Sequence, residues 1–337
     1  MSTFREEKLR LEREVAARSE WIDEILRLEP EKQKRLYEWI DSETQPGPEI
    51  AEAAETIRLP VADGELRVLH SVPPSPTSEG TQSQRAPRAR PILFVPGWGA
   101  VPEEFKEFYE FLHGEAELYY LETREKRSST LHRGAQMSVE QSARDIAHAI
   151  DSLGLRERDF LLLGSCWGAS TILQGLYDRT LNAPTVVLVD PMESLWFPRW
   201  LLRFFFRFTP DGIVRFLKPL IVRLKLRGMT EPRQRARAEQ FIRAADVGKW
   251  RRAAVAARNF QLAGRLETIE QELFVLNCSA DAIHDQRYYP VLTDRLPRGR
   301  FLSLQVDERH RERMIGLAAR EFAKVSADEG VPESLRG

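Results

Sequence analysis

The chain has only two cysteines, Cys166 and Cys278, among its 337 residues. So few exclude a disulfide framework and fit a reducing compartment, where a free thiol persists as a working group. There is almost no net charge, −1 from 50 Lys and Arg against 51 Asp and Glu. Nothing global therefore draws the chain to nucleic acid, and local charge must carry any reading of partners. No run approaches the roughly 18 uninterrupted apolar residues of a membrane span. Residues 1–18 are densely charged and lack the apolar core of a secretory signal. These absences, with no internal repeat and no pattern that asks for a metal or cofactor, point to a soluble cytoplasmic protein.

What is present is an alternation. Residues 4–41 place Leu11, Val15, Ile22 and Ile25, then Leu36, Trp39 and Ile40, at helical spacing, with Pro30 between the halves, predicting two helices. Residues 42–48 read as a linker. Residues 56–59 and 65–69 flank Ala62-Asp63-Gly64 and read as a strand pair around an Asp-Gly turn. Residues 71–90, rich in Pro, Ser, Gln and Gly, read as a mobile loop. From Pro91 onward, strands are expected at 92–95, 117–121, 160–163, 185–189, 273–276 and 301–304. Helices are expected at 103–112, 139–153 and 311–324. Short apolar strands separated by amphipathic helices predict an α/β fold, a mostly parallel sheet flanked by helices on both faces.

Residues 193–265 interrupt this series. They open with Trp196, Phe197, Trp200, Phe204, Phe205, Phe206 and Phe208. Between Pro198 and Arg265 only Asp211, Glu231, Glu239 and Asp246 oppose a dense series of Arg and Lys. The cations either form a solvated face or attract an anionic ligand: a coenzyme A thioester, a carboxylate substrate or an acidic membrane surface. The aromatics either pack on the sheet or anchor in lipid. The acidic N-terminal helices are expected to dock on this basic insertion or to mediate homo-oligomerisation. The chain thus divides into an N-terminal helical extension (1–48), an α/β core (49–192 and 266–337) and a helical insertion (193–265).

The chemistry concentrates at strand ends. Gly164-Ser165-Cys166-Trp167-Gly168 joins the strand 160–163 to a helix-like segment, 169–177. Glycines at minus two and plus two suit a sharp strand-to-helix turn with Cys166 at its apex and Ser165 pointing away. The helix N-terminus that follows places partial positive charge near the thiol and favours the thiolate. Pro96-Gly97-Trp98-Gly99 follows strand 92–95 and can aim the Trp98 N–H at the same cleft as the Trp167 N–H, a two-donor oxyanion hole. Asp281 and then His310 follow the last two strands, an acid and then a base. Asp190, which also ends a strand, is the rival acid, and His284 the alternative base. Cys278 reads as an inert thiol.

With these residues the chain resembles the α/β-hydrolase superfamily over residues 57–325: nucleophile, acid and histidine in that order, the nucleophile on a G-x-Nu-x-G elbow. The resemblance implies an α/β-hydrolase fold with a helical cap at 193–265. It implies Cys166 as nucleophile, Asp281 as orienting acid, His310 as base, and Trp98 and Trp167 as oxyanion donors. Cysteine at the apex is similar to the cysteine subset, such as dienelactone hydrolases and polyhydroxyalkanoate synthases. Pro96-Gly97 stands where His-Gly is usual, Ala169 where those two families have glycine, and Arg309 where a glycine commonly precedes the histidine. The implied function is hydrolysis of an ester or thioester through an acyl-cysteine. Acyl transfer and a non-catalytic, acyl-ligand-binding role are the alternatives. The implied partner is a small acyl substrate, anionic or CoA-linked, with membrane-surface contact through the basic aromatic insertion left open.

Overall fold

The structure, a computed structural model, describes residues 4–27, 29–44, 46–74, 89–194, 210–226, 232–279 and 285–336. Most of the expected mobile loop, the aromatic series from Trp196 to Phe208, and Asp281 with His284 lie outside the described residues. Helices α1 (Phe4–Ala17), α2 (Ser19–Leu26) and α3 (Pro30–Glu43) open the chain, so the first of the two expected helices is divided at Arg18. Pro30 sits in the first turn of α3, where its missing N–H costs no intrahelical bond. A further helix, α4 (Ile50–Ala53), is a single turn, too short for periodicity to register.

Among the described residues nine strands form one sheet: β1 (Glu55–Val61), β2 (Gly64–Ser71), β3 (Ile92–Val95), β4 (Leu118–Glu122), β5 (Thr130–Leu131), β6 (Leu161–Ser165), β7 (Thr185–Val189), β8 (Leu273–Ser279) and β9 (Gly299–Val306). Their order is β1-β2-β4-β3-β6-β7-β8-β9, with β5 on β2. β1, β2 and β4 pair antiparallel, and every pair from β4 to β9 is parallel. Between strands lie α5 (Lys106–Tyr109), α6 (Val139–Ser152) and α7 (Trp167–Tyr177). The insertion between β7 and β8 contributes α8 (Asp211–Leu226), α9 (Pro232–Ala244) and α10 (Val247–Ala256). Helices α11 (Tyr288–Asp294), α12 (Arg311–Lys324) and α13 (Glu333–Arg336) complete the chain.

Every residue of β3, β4, β6 and β7 is buried, which is why these strands read as continuous apolar runs rather than alternating ones. Alternate side chains feed two cores. Phe94, Leu163, Val187, Leu276 and Leu304 pack with α3, α5 and α12 on one face. Leu93, Val95, Leu162, Val186 and Val275 pack with α6 and α7 on the other. Each such side chain contributes roughly 1.5–3 kcal/mol by burial.

One expectation is corrected here. The single helix at 103–112 is a 3₁₀ turn, Pro102–Phe105, running into the four-residue α5. Phe105, Phe108, Tyr109, Phe111 and Leu112 are all buried in one core, and Gly114 at φ 81° turns the chain away. The N-terminal helices dock on the core edge. Leu11, Val15, Ile22 and Leu26 surround Val291 of α11, while α3 lies on β9 with the Tyr37 hydroxyl accepting the Asp307 N–H at 2.8 Å. Arg295 joins α1 to the start of the insertion, pairing with Glu14 and donating to Glu193 at 2.6 Å. The acidic excess of these helices thus finds a core arginine, as well as its own neighbours.

One buried acid cluster makes the fold pH-dependent. Burial works to raise the Glu117 pKa, but bonds from Arg158 at 2.5 Å, Tyr119 at 2.7 Å and His70 at 3.0 Å override it and pull it from 4.5 to about 2. A depressed folded-state pKa contributes stability that is full above pH 4.5 and is lost as pH falls towards 2. Glu117→Gln should flatten the acid limb of stability between pH 4.5 and 2 in urea denaturation, with an unfolding midpoint at pH 7 lower than that of the parent.

Candidate active site

β6 delivers the chain to Cys166 and α7 carries it away. Cys166 adopts φ 50°, ψ −115°, a left-handed-side conformation that costs a non-glycine residue about 1–3 kcal/mol. Backbone bonds hold it there: the Cys166 N–H donates to Val189 at 2.8 Å, and the Ser170 N–H donates to the Cys166 carbonyl at 3.1 Å. The two flanking glycines answer separate steric demands. A Cβ on Gly168 would sit 2.1 Å from the Val95 carbonyl oxygen, and one on Gly164 would sit 2.7 Å from Ala169 Cα. Ser165 is buried, so the apex belongs to Cys166.

The turn after β3 lies directly against this apex. A Cβ on Gly97 would be 3.3 Å from Cys166 Cβ and 3.8 Å from its Sγ. The backbone N–H groups of Trp98 and Trp167 have no hydrogen-bond partner among the described residues. Their indoles meet edge to face, 5.3 Å between centroids. The insertion extends this wall: Trp250 lies 6.4 Å from Trp98, Phe260 lies 5.2 Å from Trp167, and Phe241 meets Trp250 at a tilt, 4.6 Å between centroids. Trp250 also fills the space over Gly99, where a Cβ would come within 2.0 Å of its ring. None of Phe241, Trp250 or Phe260 was singled out from sequence. Three isolated aromatics among arginines carry no periodic signal, unlike the dense run from Trp196.

His310 begins α12. Its Nδ1 is 2.7 Å from Asp307 Oδ1, its Nε2 is 4.0 Å from Asp41 Oδ1, and its ring stands edge-on to Tyr37 at 5.2 Å. Tyr37 packs with the core on the α12 face of the sheet, whereas Cys166 packs with the core on the α7 face. The structure therefore brings Cys166, Trp98 and Trp167 together and sets His310 among Asp307, Asp41 and Tyr37. Asp281 and His284 lie outside the described residues. Asp190, the rival acid, is fully buried at φ 49°. It accepts from Asn277 at 3.0 Å and from Arg311 at 2.7 Å.

A second unanticipated feature sits behind the Gly97 turn. The loop leaving β4 buries Arg124, Glu125 and Lys126. Arg124 binds Asp145 at 2.9 Å, Asp63 at 2.6 Å and the Gln136 carbonyl at 2.8 Å. A run of four charged residues, Arg124 to Arg127, reads as a solvated turn, and only the tertiary pairing accounts for its burial. Next to it, a cleft of about 700 Å³ opens beside Gly99, lined by Arg58, Arg67, Lys126, Arg127 and Arg243 with Glu103, Glu122 and Trp250.

A mostly parallel sheet whose central strand ends in a strained cysteine turn, beside a glycine turn that offers an unpaired N–H, defines the class of fold that carries a nucleophile on an elbow. The model of the alpha/beta hydrolase family matches residues 92–324, and the chain belongs to that family. Among solved structures it is similar to a thermophilic esterase from Thermogutta terrifontis, at 18% identity and TM-score 0.58 over 80% of this chain and 98% of that one. It is also similar to a hydrolase from Pseudomonas aeruginosa PA01, at 13% identity and TM-score 0.58 over 77% and 93%. A bromoperoxidase from Bacillus anthracis aligns at 11% identity and TM-score 0.56 over 80% and 96%. Likenesses this remote in sequence establish the fold. No match is found among curated proteins.

The two thiols should behave differently. Neither is in a disulfide, and β7 separates their strands. Cys278 is fully buried, and that burial, with Asp190 nearby, pushes its thiol far up. Iodoacetamide should alkylate Cys166 in the native protein and Cys278 only on unfolding, as read by peptide mass mapping. Equal native rates would contradict the placement of both.

Proposed function

We propose that the chain is an esterase-type hydrolase of the cysteine-nucleophile subset, acting on the acyl carbon of an ester or thioester. One observation carries this reading: Cys166 is held at a strained apex against a turn whose Trp98 N–H, like that of Trp167, has no partner among the described residues. A histidine takes the thiol proton and the sulfur forms a bond to the acyl carbon. The carbonyl oxygen gains negative charge facing the two N–H groups, each lowering the barrier by on the order of 3 kcal/mol. Collapse expels the alkoxide or thiolate, protonated by the same histidine, and leaves acyl-Cys166, which water then cleaves. Amines or thiols in place of water would make the same intermediate an acyl-transfer agent.

His310 is the proposed base and Asp281 its acid, on their order along the chain. His310 serves in this role by trading Asp307 and Asp41 for the cleft. His284 is the alternative base. Asp190 is a weak alternative acid, since its carboxylate already holds the Arg311 guanidinium. The contacts of His310 also favour a second reading, in which the fold binds an acyl ligand without turning it over. Residues 193–265 are proposed as the cap, with Trp250 and Phe260 closing the aromatic wall. Arg58 and Arg127, which line the cleft beside Gly99 in addition to the cations paired with acids, support an anionic or CoA-linked substrate, and two cysteines outside any disulfide support a reducing, cytoplasmic setting.

The decisive variants are Cys166→Ala, His310→Ala and His284→Ala, assayed on p-nitrophenyl esters and acyl-CoA thioesters. Cys166→Ala should lose at least about 10³-fold in kcat. His310→Ala should follow it, and His284→Ala should stay close to the parent. Activity lost with His284 alone reassigns the base, and full turnover by Cys166→Ala refutes the nucleophile.

No described helix is long and apolar enough to cross a membrane, but α8 exposes Ile213, Phe216 and Leu220, with exposed Arg215 and Arg223 beside them. This supports contact with an anionic lipid surface through the insertion. Flotation with phosphatidylserine vesicles should recover the parent and not Phe216→Glu. Equal recovery of both would remove α8 from any such contact.

A further inference from the structure

The buried charge pair behind the Gly97 turn bears on the oxyanion geometry, a role that rests on the acyl-transfer chemistry proposed for Cys166. Lys126 and Glu125 are 2% and 3% exposed. The Lys126 ammonium donates to the Gly97 carbonyl and lies 3.1 Å from Glu125 Oε1. The same oxygen accepts from the Gly99 N–H at 3.4 Å and from the Thr123 hydroxyl at 2.8 Å. One ion pair thus grips the turn at a carbonyl and at an N–H two residues on, with Trp98 between them.

The sheet order gives this grip a direction. β3 lies between β4 and β6, so Lys126, on the loop after β4, and Cys166, at the end of β6, flank the Gly97 turn from opposite sides. The peptide joining Gly97 and Trp98 is trans, and its C=O and N–H point opposite ways. A carbonyl turned towards Lys126 sends the Trp98 N–H towards Cys166. The Gly97 carbonyl also accepts the Ala100 N–H, at 3.3 Å, a long backbone bond beside which the Lys126 ammonium supplies the stronger, charge-assisted one. Lys249 of α10 fixes the Lys126 loop from outside, its ammonium donating to the carbonyls of Lys126 at 2.9 Å, Arg127 at 3.2 Å and Ser129 at 2.5 Å.

We propose that Lys126, neutralised by Glu125, is a positioning residue that locks the Gly97–Trp98 peptide in the orientation that offers the Trp98 N–H to the oxyanion. A buried, paired ammonium suits this task because it binds a carbonyl more strongly than a neutral donor does. Removing it alone would strand the Glu125 charge.

The test uses Lys126→Met, Lys126→Arg and the charge-balanced double variant Glu125→Gln/Lys126→Met, each measured by ester kinetics and by amide hydrogen exchange over residues 96–100. The double variant should lose about 10²-fold in kcat, the order lost with one oxyanion donor, with KM within about threefold. Lys126→Arg, which keeps a cationic donor, should recover most of that loss. Exchange at the turn should rise in both methionine variants while the rest of the sheet stays protected. Parent-like exchange and kcat in the double variant would overturn the proposal, as would a loss confined to KM. Raised exchange with parent-like kcat would leave the lock in place and refute the Trp98 N–H as an oxyanion donor. Cys166 alkylation, which needs no oxyanion hole, should proceed at the parental rate in every variant; its collapse would mean that Lys126 acts on the elbow instead.

Discussion

The close approach of α7 to the end of β3 is the constraint on which the site depends. With no side chain at Gly168, the helix starts almost in contact with the Val95 carbonyl, and the chain must turn within one residue of β6. That residue is Cys166, forced to positive φ. Strain at the apex and adjacency of the two donors are consequences of one steric fact, held by burial on both faces of the sheet.

The charged groups around the strand ends divide into two sets. On the β4 side, Arg124, Glu125 and Lys126 are buried and paired, a costly arrangement whose return is geometric, since apolar residues would fill the same space as stably. On the β7 side, Asp190 is tied to Arg311 and Asn277. Arg311 sits one residue from His310, so the carboxylate nearest in topology to the elbow is already committed to a guanidinium. The imidazole itself rests between Asp307 and Asp41, where the N-terminal helix α3 meets β9. Docking of that helix and orientation of His310 are therefore linked through Tyr37 and Asp41.

Much of this was legible in the sequence because it obeys local rules. The glycine spacing around Cys166 announces a strained turn, and the apolar runs at 92–95 and 185–189 are doubly buried strands. What was not legible arises from distant partners. The 103–112 segment has the right spacing for a helix, yet only Lys106–Tyr109 is α-helical, and Phe105, Phe108 and Phe111 enter one core from a broken segment. Lys126 in a run of charges looks solvated until Gly97, 29 residues earlier, supplies its acceptor. Trp250 is one aromatic among arginines until Gly99 opens a space for it. His310 falls in the expected position along the chain, but which acid orients it depends on the docking of α3, over 260 residues away.

The central claim is that Cys166 forms a covalent acyl intermediate. Rapid mixing with a slowly deacylating p-nitrophenyl ester, quenching in acid and measuring intact mass tests it most directly. The account predicts a single adduct of the acyl mass, mapped to the peptide containing Cys166, formed with a stoichiometric burst of p-nitrophenol and absent from Cys166→Ala. Turnover with no adduct on that peptide, or an adduct on another residue, would contradict it.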